Sequence, residues 1–114
     1  MAGIVKKSFN EPDVTHKPTN NLTADVVDLG DHKFVRAVIK PGWKWSEHMK
    51  PVVGTDLCMN TPTGICVSGK MHIVHKDGTE VEVGPGDAYC VQPEHDMWIV
   101  GDEDYVAYEL VLGE

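Results

Sequence analysis

From residue 25 onward, apolar and polar positions alternate in short runs, each closed by turn residues. In 33–40, Val35, Ala37 and Ile39 share one face while Arg36, Val38 and Lys40 share the other, the period of two that marks a strand. In 70–76, Met71, Ile73 and His75 point one way and His72, Val74 and Lys76 the other. Val81 and Val83 share a face in 79–83, and Val106, Tyr108, Leu110 and Leu112 share one in 105–112. Further strand-like runs fall at 43–48, 55–60, 64–68, 88–91 and 97–100. Pro41-Gly42, Ser68-Gly69, Asp77-Gly78 and Gly84-Pro85-Gly86-Asp87 separate them, and Asp77-Gly78 has the positive-φ tolerance that a two-residue hairpin needs. No segment keeps a 3.6-residue period over helical length. The pattern predicts an all-β sandwich or barrel over residues 25–114. Residues 1–24, polar and broken by Pro12 and Pro18, are expected to be an irregular N-terminal arm.

Composition narrows the picture. The chain has 114 residues, 41% hydrophobic and 25% charged, which fits one ordinary globular domain. Its net charge of −8 is uneven: residues 1–50 hold eight Lys/Arg against six Asp/Glu, and residues 51–114 hold two against twelve. Such an acidic surface repels phosphate backbones, so no nucleic-acid partner is expected. No apolar run approaches membrane-spanning length, and no signal peptide is visible, so no membrane partner is expected either. Cys58, Cys66 and Cys90 cannot all pair within one chain and carry no catalytic motif. They read as small apolar groups in a reducing cytoplasm.

The block Pro41-Gly42-Trp43-Lys44-Trp45-Ser46-Glu47-His48 resembles the first cupin motif, in which a glycine precedes a metal-binding histidine by six positions. Val67-Ser68-Gly69-Lys70-Met71-His72 is similar to the turn that closes it. Gly84-Pro85-Gly86-Asp87-Ala88-Tyr89 followed by Gln92-Pro93-Glu94-His95-Asp96 resembles the second motif. The resemblance spans about residues 34–112 and points to small single-domain bacterial cupins. It implies a cupin-type double-stranded β-helix, or jelly-roll barrel, and a homodimer. The chain also departs from the pattern. Lys50 stands where a second histidine belongs, Gly54 and Thr55 near the glutamate's place, and Met97 where the second motif's histidine falls.

What the resemblance implies about chemistry centres on His48, as metal ligand or general base; apart from the resemblance, Glu47 beside it is a candidate oxygen ligand or acid/base carboxylate. His95 is the second candidate ligand, at the turn where cupin loops converge. Trp43, Trp45 and Trp98 are the candidate pocket walls, suited to a planar or apolar small molecule. Imidazole with a carboxylate suits a divalent transition metal, Fe, Mn, Ni, Zn or Cu. Two functions follow. One is a metal-dependent enzyme of isomerase, decarboxylase or dioxygenase type; the other is a non-catalytic small-molecule-binding or sensory module with a degenerate metal site and no cofactor.

Overall fold

The computed structural model describes residues 3–112. Among the described residues, nine strands form two antiparallel sheets. The larger sheet holds β1 (Val14–Thr19), β2 (Leu22–Asp28), β3 (His32–Ile39), β9 (Tyr105–Leu112), β4 (Thr63–Ser68) and β7 (Ala88–Cys90), in the order β1-β2-β3-β9-β4-β7. The smaller runs β6 (Glu80–Val83), β5 (Lys70–His75), β8 (His95–Val100). The all-β expectation holds, and the two sheets close on each other as a cupin-like barrel.

The chain passes between the sheets at its turns. Between β4 and β5 the crossing residue is Gly69, at φ 76°. A Cβ there would overlap the Asp104 carbonyl oxygen and stand 2.7 Å from Tyr105 Cα, so only glycine fits where β4 presses on the start of β9. Asp77-Gly78 closes the β5–β6 hairpin, with the Thr79 N–H donating to Asp77 Oδ1 at 2.8 Å.

Between the sheets lies a core of Ile39, Trp43, Cys66, Met71, Ile73 and Ala107, joined by Trp45, Ile99 and Tyr105. Val35, Ala37 and Ile39 face inward, as their alternation predicts. In β9 the inward face is the other one. Tyr105 and Ala107 are buried and Glu109 points the same way, whereas Tyr108 and Leu110 are over a third exposed. The apolar count along β9 favours the Val106–Tyr108–Leu110 face. That face is instead the outer one, where Phe9 covers Tyr108 at 5.3 Å between ring centroids and Arg36 reaches across to Asp25 at 2.9 Å.

Three stretches differ from the sequence reading. Residues 14–19, expected to be irregular, form β1 and pair with β2, and β2 itself begins before residue 25. The 43–48 run is not a strand. Lys44 makes one bridge to Trp98, then Trp45–His48 winds a single turn, α1, followed by α2 (Lys50–Val53), which carries Pro51 in its first turn and is capped by left-handed Gly54. The 55–60 run also forms no strand, contributing one bridge from Cys58 to His95. Its residues arch between α2 and β4 instead. Among the described residues, no helix is long and apolar enough to cross a membrane.

Candidate functional site

The two motif-like blocks do meet in space, at a joint between α1 and β8. Asp96 of β8 accepts the Ser46 N–H at 3.0 Å and the Ser46 hydroxyl at 2.8 Å, and the Met97 N–H at 2.9 Å. A carboxylate from another strand thus satisfies a free donor at the start of α1, which has no side-chain cap of its own. Ile99 donates its N–H to the Trp43 carbonyl at 3.1 Å, and Cys58 exchanges backbone bonds with His95. This polar stitching is why the run at 43–48 turns into a helix rather than extending.

The candidate ligands sit inside this joint. His48 lies at the end of α1, half-buried, with Nδ1 3.1 Å from both the N–H and the carbonyl of Lys44. Glu47 is exposed on the same turn. His95 is fully buried. Its Nδ1 lies 2.8 Å from the Gln92 carbonyl and therefore carries the proton, leaving Nε2 as a lone pair with no partner. Burial pushes its pKa below the usual histidine range and keeps the ring neutral. Trp98 faces outward from the small sheet, stacked on His72 at 4.8 Å with the Lys44 ammonium 4.9 Å from its ring. It is not a cavity wall, because adjacent residues of β8 alternate and Met97 takes the inner side.

The described residues do not supply the ligands for the divalent metal that the cupin resemblance implies. Neither His48 nor His95 lines the cavity. Among the described residues, no group of three or more His, Cys, Asp or Glu gathers in a way that could hold a metal ion. The arrangement does not fit a metal centre of cupin type.

What the barrel does enclose is a cavity of about 720 Å³ between the two sheets. Trp43 and Trp45 line it, with Met49, Met71 and Met97 completing an apolar wall. Asn60, Thr61 and Thr63, from the arch before β4 and its first residue, are its exposed, polar part. The volume is in the range of pockets that take small organic molecules.

One polar cluster breaks the apolar wall. Glu109 of β9 and Tyr89 of β7 both face Gly64 of β4, which lies between them in register. Strands two apart are separated by about 10 Å, a gap that a side chain on β4 would block. A Cβ at position 64 would overlap the Tyr108 carbonyl oxygen and lie 2.9 Å from Glu109 Cγ. With glycine there, the Tyr89 hydroxyl crosses the strand and donates to Glu109 Oε2 at 2.6 Å. Burial raises the Glu109 carboxyl above its ordinary range, and Tyr89's hydrogen bond partly offsets that. Burial and the adjacent Glu109 charge together push the Tyr89 phenol far up, so it stays protonated and donates. Nearby, the buried Tyr105 hydroxyl has no hydrogen-bond partner. Cys58 also lines the cavity, and burial raises its thiol, which argues against a nucleophilic role.

Sequence reasoning did not single out Tyr89, Tyr105 or Glu109. A signal was present: Glu109 is the lone charge in the run Tyr-Val-Ala-Tyr-Glu-Leu-Val-Leu, and a period of two places it with Tyr105 and Ala107.

No protein-family model matches the chain, and neither does any curated protein. Solved structures do. A protein of unknown function from Rhizobium leguminosarum bv. viciae is 15% identical, with a TM-score of 0.68 over 99% of this chain and 100% of that one. A protein of unknown function (DUF1255) from Acidithiobacillus ferrooxidans is 12% identical, with a TM-score of 0.61 over 88% and 87%. Hydroxypropylphosphonic acid epoxidase from S. wedmorenis is 10% identical, with a TM-score of 0.64 over 95% of this chain and 59% of the epoxidase. At these identities the likeness establishes the cupin-like fold alone.

Proposed function

We propose that this protein binds a compact, largely apolar organic molecule in the cavity between its sheets. The observation that carries the reading is the half-open space of about 720 Å³, with aromatic and methionine walls and, among the described residues, a single carboxyl in its lining. Methionines at 49, 71 and 97 adapt their shape to a guest at little cost. Trp43 and Trp45 offer flat faces that hold a planar group.

The reading favours a binding module over a metal-dependent isomerase, decarboxylase or dioxygenase. The epoxidase with a similar fold was described with Fe(II) bound, but neither His48 nor His95 here lines the cavity, and among the described residues no third ligand joins them. A thermal-shift and tryptophan-fluorescence screen of small neutral aromatic and aliphatic compounds tests the proposal. Saturable stabilisation that survives chelator treatment supports it. Roughly one tightly held metal per chain in protein purified without added metal, with stability lost on chelation, overturns it in favour of the metal-enzyme reading.

A further inference from the structure

The cavity's chemistry narrows its guest further. Its lining includes Glu109 but, among the described residues, no Lys, Arg or His side chain. None of the ion pairs among those residues involves Glu109 either. The carboxyl therefore has a hydrogen-bond donor in Tyr89 and no counter-charge. Tyr89 bonds it directly, and Trp43, Trp45 and Tyr105 belong to the same cavity lining. A half-buried carboxyl without a cation, in a cavity whose lining includes aromatic rings, is complementary to an ammonium group.

We infer that the cavity selects an organic ammonium, a primary or secondary amine on a compact apolar body, with its charged nitrogen placed against Glu109 and among the aromatic rings. The inference rests on the reading of the cavity as a ligand site and adds the class of ligand. Tyr89 occupies Oε2, which leaves Oε1 as the second acceptor for the amine's N–H groups. An anionic guest would meet like charge wherever Glu109 is ionised, and a neutral one gains no charge attraction from it. The net charge of −8 adds a long-range attraction for cations.

The titratable groups facing Glu109 are Tyr89 on β7, Tyr105 on its own strand and Cys58 on the arch. β3 presents Val35, β4 presents Gly64, and the opposite sheet presents Met71, Ile73 and Met97. Burial holds Glu109 toward its protonated form, so an ammonium must shift it to the ionised form on binding. Amine affinity therefore falls as the pH is lowered, while affinity for a neutral analogue stays level.

The test uses the full chain and three probes of one shape: 2-phenylethylammonium, 2-phenylethanol and phenylacetate, followed by calorimetry and tryptophan fluorescence. Near neutral pH the ammonium should bind about tenfold tighter than the alcohol, with phenylacetate weakest. In Glu109→Gln, which keeps an acceptor for Tyr89, the ammonium should lose about tenfold while the alcohol changes by less than about threefold. The wild-type pH series needs no variant and reads the same charge should Glu109→Gln fold poorly. Equal binding of ammonium and alcohol, a flat pH series for the ammonium, or failure of all three probes overturns the ammonium assignment. Equal binding leaves the ligand cavity itself standing, and the wider screen of neutral compounds decides that separately.

Discussion

Two regions of this barrel concentrate polar side chains, and they are built in opposite ways. At the α1–β8 joint most polar groups serve each other: Asp96 takes three donors, His48 folds back on Lys44, and His95 donates to Gln92 through Nδ1, with only its Nε2 left unpartnered. In the cavity they are few and incompletely matched. Glu109 has Tyr89 but no cation, and Tyr105 has no partner at all. Satisfied polar groups fix an architecture, whereas unsatisfied ones facing open space are available to a guest. The two candidate histidines thus lie at the joint, and the carboxyl and phenols that face the cavity lie on β7 and β9.

The comparison is broken most forcefully at Gly64. Gly64→Ala puts a methyl into the Tyr108 carbonyl and the Glu109 side chain, so β4 and β9 must part. A loss of about 3 kcal/mol is expected by chemical denaturation, together with loss of the Tyr89–Glu109 bond. Wild-type stability in this variant would show that the close approach is not needed.

His95→Ala comes next. Removing a fully buried ring should cost about 2–3 kcal/mol while leaving the cavity's affinity for neutral ligands within about twofold. A collapse of ligand affinity at unchanged stability would reverse the division of roles between joint and cavity.

The acid limb of stability separates the two regions by sign. His95 has a folded pKa below its ordinary 6.5. Below that pH the unfolded chain takes up a proton that the folded one refuses, so its contribution is lost as the pH falls toward the folded pKa. Glu109 has a folded pKa above its ordinary 4.5. Its contribution is full below 4.5 and is lost as the pH rises through the folded pKa. Between these two reference values the groups oppose each other, each by at most about 1.4 kcal/mol per pH unit. Unfolding curves of His95→Gln should therefore show stability falling more with rising pH than the wild type, and those of Glu109→Gln should show it rising more. Identical slopes for the two variants would contradict the assignment.

Ser46→Ala is the mildest change. It removes one hydroxyl bond to Asp96 while the Ser46 N–H keeps its own, and should cost about 1 kcal/mol with cavity binding unchanged. A larger loss confined to binding would place α1 in the ligand site.

Much of the fold was legible because strand chemistry is local. Alternation in 33–40, the turn at Asp77-Gly78 and the run 105–112 locate β3, the β5–β6 hairpin and β9 almost to the residue. The 43–48 and 55–60 runs misled because their backbone partners, Asp96 and His95, are about forty or fifty residues away, and propensity cannot register a donor satisfied across that distance. β1 was hidden by its polar, exposed residues, which form a strand only because β2 offers a ladder.

The sequence by itself determined the all-β class, the places of β3, β5, β6 and β9, the glycine turns and the acidic balance, since these follow from side-chain period, φ and composition. Tertiary structure alone decided which face of β9 turns inward and that Tyr89 reaches Glu109 over a missing side chain. It also decided that His48 and His95 serve the backbone rather than the cavity. Those outcomes depend on which strands become neighbours, and register between distant segments is set by the packing of the whole barrel.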